Sequence, residues 1–305
     1  MRHLTSIFDV SSSDLEHIFA VSEDLKSKFT SGLREPLLPG RVMALLFEKP
    51  SLRTRVSFEA GMIQLGGGTL FLGDDVGFGK RESVEDFCRV LSEYVDVIVA
   101  RTFAHKTILD LAAHCTSTVI NGLSDLEHPC QAVADLFTAR ERFGDLRGLK
   151  LAWVGDGNNV ARSLAAACGK TGMKFVAACP DGYQLEDKFV EQLGAELPDA
   201  QFSQTTDPVA AVQGADIVYT DVWASMGQES EQAQRAKDFA DFQVNTSLMS
   251  QAATGAIFMH CLPAHRGDEV TAEVIDGPQS VVIQQAGNRM HAQKGILAWL
   301  LASQS

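Results

Sequence analysis

The sequence lacks the cysteine spacings that mark a zinc site or a redox pair. Its six cysteines include no C-x-x-C pair, and none has a histidine at the spacing of a structural zinc site. Residues 1–8 lack the apolar stretch of a secretory signal, and no apolar run approaches the ~20 residues that span a bilayer. We therefore expect reduced thiols in a cytoplasmic protein that has no membrane contact.

Positive charge is also scarce. The chain has 26 lysines and arginines against 39 aspartates and glutamates, a formal net charge of −13. A nucleic-acid-binding face is usually basic, so we expect no nucleic-acid partner. The overall acidity says little about small substrates, because a local site can oppose it, and an acidic surface serves solubility.

Strand-then-helix alternation occurs twice in the 305 residues and predicts two domains. The expected fold class is α/β, with two similar-sized three-layer αβα domains, parallel sheets and a ligand cleft between them. The polar, glycine-bounded residues 144–148 suggest the boundary. We expect domains at residues 1–145 and 146–285, with a C-terminal helix, residues 286–305, that packs back on the first domain. Ligands of such sheets collect beyond the carboxyl ends of the strands.

Residues 51–55 follow the first predicted strand and lead into a helix. A helix N-terminus attracts anions, and Ser51, Arg53 and Thr54 add donors suited to phosphate. An ordinary N-cap with basic neighbours is the alternative. Two arginines, Arg53 and Arg55, in a first turn go against it, because cations are unfavourable there unless an anion is present.

Three further polar residues stand beyond predicted strands of the first half. His128 and Gln131 are three residues apart at a helix start opened by Pro129, so both can face one point and hold a carbonyl oxygen. Arg101 follows the third strand. Taken singly, each is weak evidence, because polar caps and single arginines are common at such places.

The second half contains a partial dinucleotide fingerprint after its first strand. Gly155 and Gly157 match G-x-G, Val160 stands at the third glycine position, and Asp181 follows the next strand. This pattern raises an NAD-dependent oxidoreductase as an alternative enzyme. A glycine-rich turn with no nucleotide is at least as good an interpretation, and the oxidoreductase leaves residues 51–55 and 128–131 unexplained.

Two later segments carry groups suited to an amine substrate. Asp221 offers a carboxylate to an ammonium group, and Cys261 places a thiol nearby. A buried structural cysteine is the ordinary alternative. His260 and His265 are more often structural than zinc ligands, because no third ligand stands at a suitable spacing. Arg289, at the predicted start of the last helix, could return a positive charge to the cleft.

Together these segments resemble the aspartate/ornithine carbamoyltransferase family over nearly the whole chain. S-L-R-T-R at residues 51–55 resembles its S-x-R-T-R loop, and H-P-C-Q at residues 128–131 its H-P-x-Q. The resemblance implies transfer of a carbamoyl group from carbamoyl phosphate, without a metal or organic cofactor. It implies that carbamoyl phosphate binds to Ser51, Leu52, Arg53, Thr54, Arg101, His128, Gln131, Cys261, Leu262 and Arg289.

The same resemblance points to the side-chain amine of L-ornithine as acceptor. Residues 221–227 resemble D-x-x-x-S-M-G, and residues 260–263 resemble H-C-L-P. The implied catalytic residues are Arg101, His128, Asp221 and Cys261, and the implied ornithine-binding residues are Asn159, Asp221, Ser225 and Met226. Sister enzymes that act on putrescine or N-acylated ornithine remain an alternative, as does a non-enzymatic binding protein for a phosphorylated ligand.

The family also implies a homotrimer or a multiple of trimers. In its members, a loop at the place of residues 75–83 reaches the neighbouring subunit's site, commonly with His or Gln where Gly77 stands here. Either Lys80 or Arg81 replaces that contact, or the contact is missing.

Overall fold

In a computed structural model, residues 2–73, 76–79, 81–224 and 229–302 are described. The chain forms two compact units. The first contains Met1–Phe137 and Gly287–Ser305, and the second contains Thr138–Ala286. The divisions fall inside two helices, α5 (Pro129–Phe143) and α12 (Val282–Leu301).

The first unit is built on a four-stranded parallel sheet in the order β2-β1-β3-β4. Its inner strand β3 is fully buried, as expected for a strand covered by helices on both faces. The strands are β1 (Val42–Phe47), β2 (Gly68–Leu72), β3 (Val97–Arg101) and β4 (Thr118–Leu123). The helices are α1 (Ser12–Thr30), α2 (Leu52–Gln64), α3 (Val84–Ser92) and α4 (His105–His114).

The second unit has a five-stranded parallel sheet in the order β7-β6-β5-β8-β9. The strands are β5 (Lys150–Val154), β6 (Lys174–Ala178), β7 (Gln201–Thr205), β8 (Ile217–Thr220) and β9 (Ile257–His260). The helices are α6 (Asn159–Thr171), α7 (Asp187–Glu196), α8 (Pro208–Val212), α9 (Gln232–Asp238), α10 (Thr246–Met249) and α11 (Ala272–Ile275). The predicted α/β class with parallel sheets is confirmed.

Each sheet has one point where the strand order reverses. The chain leaves β1 towards β2 on one side and later returns to β3 on the other, and β5 and β8 are related in the same way. The connections above two such strands run in opposite directions, which opens a crevice beyond their carboxyl ends. The crevices lie beyond β1 and β3 in the first unit, and beyond β5 and β8 in the second.

The last helix begins earlier than the sequence pattern predicts. It starts at Val282 rather than at residue 286, so Arg289 lies well inside the helix instead of opening it. Among the described residues, no helix is both long enough and apolar enough to cross a bilayer.

Candidate active site

The N-terminus of α2 lies at the crevice of the first unit. Ser51 is its N-cap, and the Ser51 hydroxyl accepts a hydrogen bond from the Thr54 amide at 3.2 Å. The first turn contains no acidic residue, so nothing within it offsets the positive end of the helix dipole. Arg289 brings a further charge, because its Nη2 donates to Thr54 Oγ1 at 2.9 Å. This end of α2 can hold a phosphate group.

The two arginines of the α2 first turn differ in their surroundings. Arg55 Nε lies 3.2 Å from Glu59 Oε1, and its guanidinium stacks 3.8 Å from the centre of the Phe71 ring. Arg55 is therefore engaged along the helix, away from the N-terminus. Arg53 stands nearer the helix start and is half-buried.

Three buried basic side chains meet in the first unit. Arg101, at the end of β3, and Arg289, in α12, are both almost fully buried, as is His128 just before α5. Burial, together with the charges of Arg289 and Arg101, holds the pKa of the His128 imidazole well below its usual 6.5. A neutral imidazole that feels the charges of two arginines can donate one hydrogen bond to an anionic or polarised oxygen without adding another charge.

Gln131 adds an acceptor to this cluster. Its Nε2 donates to Asp135 Oδ1 at 2.8 Å, which fixes the orientation of the amide. Gln131 Oε1 is buried and has no hydrogen-bond partner among the described residues. A buried amide oxygen left without a partner costs free energy. An amide NH2 group on a ligand would supply the missing donor.

In the second unit, three side chains meet beyond the ends of β5, β8 and β9. Asn158 Nδ2 donates to Asp221 Oδ2 at 2.9 Å, and Cys261 Sγ donates to Asp221 Oδ1 at 3.0 Å. The Val222 amide also donates to Asp221 Oδ1, at 2.9 Å. Asp221 is therefore a buried carboxylate held by three donors. Such a carboxylate can attract and orient an ammonium group.

A buried ion pair between Arg235 and Asp156 lies beside the same crevice. Arg235 Nη1 lies 2.8 Å from Asp156 Oδ2, just beyond β5, and also donates to the Trp223 carbonyl at 2.8 Å. Arg235 Nε bonds Glu231 at 2.9 Å. The guanidinium thus ties the segment after β8 to the end of β5.

The glycine-rich turn after β5 serves the protein's own backbone. The Gly157 amide donates to the Tyr183 carbonyl at 2.8 Å, and a Cβ at Gly157 would lie 2.5 Å from the Leu185 amide nitrogen. Asn158 caps α6 by accepting from the amides of Val160 and Ala161. In a dinucleotide site the glycine approach and the helix N–H groups serve the pyrophosphate. In this protein the backbone of residues 183–185 occupies the space beside Gly157, and Asn158 binds the first N–H groups of α6. This arrangement disfavours the oxidoreductase alternative.

Two groups of side chains within the described part of the chain have metal-ligand spacing, with donor atoms within 4.8 Å of one another. In the first, Asp221 and Cys261 bond each other, and both ring nitrogens of His260 are engaged. His260 Nδ1 accepts from the Leu262 amide at 2.9 Å, and Nε2 lies 3.3 Å from Glu269 Oε1. A metal there would have to break these bonds. The second group is His265, Asp268 and Glu269.

Both halves of the chain match one family. Residues 2–141 match the carbamoyl-P binding domain described for aspartate/ornithine carbamoyltransferase, and residues 147–300 match its Asp/Orn binding domain. The chain belongs to the aspartate/ornithine carbamoyltransferase family.

Individual relatives agree with this assignment to the aspartate/ornithine carbamoyltransferase family. An ornithine carbamoyltransferase of Symbiobacterium thermophilum is 52% identical, over 99% of this chain and 98% of its own length. The solved ornithine carbamoyltransferase of Pyrococcus furiosus has a TM-score of 0.96 at 47% identity, covering 100% of this chain and 98% of that chain. That of Thermus thermophilus has a TM-score of 0.88 at 41% identity, covering 98% and 99%.

The structure brings most of the residues implied by the family resemblance into two groups. Thr54, Arg101, His128 and Arg289 lie together in the first unit, with Ser51 and Gln131 beside them. Asp221 and Cys261 are in contact in the second. Asn159 is the first residue of α6 and Leu262 follows β9, while the Leu52 side chain is 75% exposed. Ser225, Met226 and Lys80 lie outside the described residues.

Sequence reasoning missed three polar residues of the second unit. Asn158, Arg235 and Glu269 were not singled out, although each bonds a residue of the crevice or its support. The cap signal of Asn158 was readable, because asparagine before a helix start is a favoured N-cap. Its bond to Asp221 was not, because the two residues are 63 positions apart.

Because the His128 imidazole is neutral in the folded protein, we expect the free energy of unfolding to depend on pH. The unfolded imidazole gains a proton as pH falls below about 6.5. The folded imidazole, whose pKa is lowered, stays neutral. The unfolded state then binds more protons, so the free energy of unfolding falls as pH drops from about 7 to about 5, and His128→Gln removes up to about 1.4 kcal/mol per pH unit of that slope.

Urea unfolding at a series of pH values measures this slope. His17→Gln is the control, because His17 is exposed on α1. Equal slopes in wild type and His128→Gln would mean that His128 is not held neutral by its surroundings.

Proposed function

We propose that this chain transfers the carbamoyl group of carbamoyl phosphate to the side-chain amine of L-ornithine, giving L-citrulline and phosphate. One observation carries the proposal. The same chain contains buried arginines beside a helix N-terminus in one unit and, in the other, a buried carboxylate bonded to a half-buried thiol. The names of the relatives support ornithine as the acceptor.

The phosphate of the donor binds at the start of α2. The hydroxyls of Ser51 and Thr54, the Leu52 amide and the Arg53 guanidinium surround its oxygens. A helix N-terminus is suited to bind a phosphate group, because its first N–H groups lack partners within the helix and the helix dipole favours negative charge. Arg289, already bonded to Thr54, completes the charge balance.

The carbamoyl group occupies the cluster beyond β3 and before α5. Arg101 and neutral His128 donate to its carbonyl oxygen, where negative charge develops as the amine attacks. Donors that are fixed in advance at that oxygen are often the largest contribution to catalysis of acyl transfer. Gln131 Oε1 accepts from the carbamoyl NH2, which gives this oxygen its missing donor.

Ornithine is held by the second unit. Asn159, Ser225 and Met226 bind its amino-acid end, and Asp221 orients its side-chain ammonium. The amine must lose a proton before it attacks, because an alkyl ammonium has a pKa of about 10.4. Cys261 and Leu262 contribute to the carbamoyl phosphate end of the reaction, and Cys261 is bonded to Asp221.

Cys261→Ser separates the two candidate acceptors of that proton, the thiolate and the departing phosphate. In the structure, the thiol donates to Asp221 Oδ1. A serine hydroxyl makes the same bond, so we expect kcat to fall by less than about tenfold. Loss of a general base costs about 10²- to 10⁴-fold. Steady-state kinetics with saturating ornithine measures the change, and a loss above a hundredfold would identify the thiolate as the acceptor.

A panel of acceptors tests the choice of ornithine. Purified protein is given carbamoyl phosphate with L-ornithine, putrescine, N-acetylornithine or L-aspartate, and phosphate release and carbamoylated product are measured. We expect turnover with ornithine at least about 10²-fold faster than with the others, since a site built for polar groups rejects analogues that leave those groups unpaired. A faster rate with another amine would assign the chain to a sister activity.

We also propose that the chain works as a homotrimer or a multiple of trimers. Apolar side chains of the first unit are exposed on α2. Val56 and Ile63 are seven residues apart and therefore lie on the same side of the helix. Exposed apolar side chains that share one face are typical of an interaction site. Sedimentation velocity of the wild type should give a trimer or a multiple, and Ile63→Glu should shift it to smaller species. A monomeric wild type would contradict this.

Arg81 is our candidate for the contact with the neighbouring subunit that a side chain at position 77 would otherwise make. Gly77 has φ +66°, and the Arg81 side chain folds directly over it. A turn in which the Arg81 amide donates to the Gly77 carbonyl at 3.2 Å sets this arrangement. The aliphatic carbons of the Arg81 side chain therefore occupy the side where a residue 77 side chain would stand.

We also propose a role in arginine biosynthesis. The ureido group of citrulline already contains the carbon and two of the three nitrogens of the arginine guanidinium group. We propose a cytoplasmic location. Its support is that the cysteines in the described part of the chain form no disulfide with one another, as expected in a reducing compartment.

A further inference from the structure

Asn158 connects the N-terminus of α6 to the carboxylate of Asp221 by hydrogen bonds. Its Oδ1 accepts from the amides of Val160 and Ala161, at 2.9 and 3.1 Å, and so caps α6. Its Nδ2 donates to Asp221 Oδ2 at 2.9 Å. Because the oxygen is committed to the helix, the amide cannot turn over, and Nδ2 must face Asp221.

The other oxygen of Asp221 is held from different directions. Oδ1 accepts from Cys261 Sγ at 3.0 Å and from the Val222 amide at 2.9 Å. Both of those donors lie in segments that follow strands β8 and β9. Asn158 is thus the donor that ties the carboxylate to α6 and the end of β5. Removing it leaves Oδ2, in a buried side chain, without its donor from α6.

Asparagine is the N-cap residue that suits both tasks. Capping alone is served equally by aspartate or serine, which also accept from the first helix amides. Neither can accept twice from the helix and also present an NH2 group to a neighbouring carboxylate. The amide is needed for Asp221, not for the helix.

We propose that Asn158 is a positioning residue for the carbamoyl acceptor: it orients the Asp221 carboxylate, and Asp221 in turn orients the acceptor's ammonium group. The inference rests on the proposed function for the role of Asp221. The family resemblance implies a role for Asn159 in this turn, and the hydrogen bonds of Asn158 add a second residue to it.

The test uses variants that keep the cap. Asn158→Ser keeps a capping oxygen and removes the NH2 donor, and Asn158→Asp also sets a second carboxylate against Asp221. Asn245 is the matched control, because it caps α10 in the same unit by accepting from the Leu248 amide at 3.0 Å. Asn245→Ser and Asn245→Asp therefore report the cost of altering a cap alone.

We expect Asn158→Ser to raise KM for ornithine about 10- to 100-fold, the effect of losing a hydrogen bond to a charged group. KM for carbamoyl phosphate and the unfolding temperature should stay near the wild-type values. Asn158→Asp should also move the acid limb of kcat/KM for ornithine to higher pH, because two adjacent carboxylates resist ionising together. Asn245 variants should leave all four readouts unchanged. An ornithine KM for Asn158→Ser within twofold of wild type overturns the proposal.

A second readout does not depend on ornithine turnover. Cys261 is half-buried and the other five cysteines are buried, so iodoacetamide should alkylate Cys261 first. Asn158→Asp should slow this alkylation severalfold, because added negative charge near Asp221 disfavours the thiolate. Without wild-type turnover the proposed function fails. In that case a slower alkylation of Cys261 still supports the hydrogen-bonded chain from Asn158 through Asp221 to Cys261. An unchanged alkylation rate overturns the proposed role of Asn158.

Discussion

Arg53→Ala is expected to lower kcat/KM for carbamoyl phosphate about 10³-fold, a loss of the size seen when a preorganised donor to the transition state is removed. Arg55→Ala is expected to lower it by less than about tenfold. Both arginines stand in the first turn of α2, but Arg55 is already paired with Glu59 and stacked on Phe71. Only Arg53 stays available to a phosphate at the helix N-terminus.

The two variants control for each other, since each removes one positive charge from the same turn. Initial rates over a range of carbamoyl phosphate concentrations give the two kcat/KM values. Circular dichroism checks that both variants fold. Equal losses would mean that the phosphate responds to total charge rather than to one placed guanidinium, and the binding role of Arg53 would fail.

Asp221→Asn is expected to lower kcat/KM for ornithine about 10³-fold. The change keeps the shape of the side chain but removes its charge, and it sets an NH2 group against Asn158 Nδ2 or Cys261 Sγ, both of which now donate to Asp221. An ammonium group loses its counter-charge at a site where burial strengthens electrostatic interactions. Kinetics with ornithine as the varied substrate measures the loss.

Binding of inorganic phosphate should be unaffected by Asp221→Asn, because the residues proposed to bind the phosphate group lie in the other unit. Isothermal titration of the variant with phosphate checks this separation. A variant that keeps ornithine turnover within tenfold of wild type would remove Asp221 from the catalytic account.

The fold was largely predictable because the inner strands are mostly buried. In β3 every residue is buried, and the apolar run of residues 97–100 is continuous and easily recognised. The strand β7 was not predicted, because it lies at the sheet edge, reads Q-F-S-Q-T and has no fully buried residue. The helix α1 was not predicted either, although Ser11 and Asp14 form a capping box at its start.

The candidate site was predictable only as far as its residues follow strands. Ser51, Arg101 and Asp221 were found in this way, because parallel strands deliver their carboxyl ends to one edge. Contacts between distant segments were not readable from the residues alone. Arg289 meets Thr54 across 235 positions, and Arg235 meets Asp156 across 79. The sequence resemblance pointed to Arg289, but nothing in the pattern pointed to Arg235.

One chain is proposed to carry both a carbamoyl phosphate site and an ornithine site. Supplying carbamoyl phosphate labelled with ¹³C together with L-ornithine, and identifying the product by mass spectrometry and NMR, tests both sites at once. We expect L-citrulline labelled at its ureido carbon, formed in step with phosphate release and lost in Arg53→Ala. Phosphate release without labelled citrulline, or no reaction by the folded wild-type protein, would contradict the account.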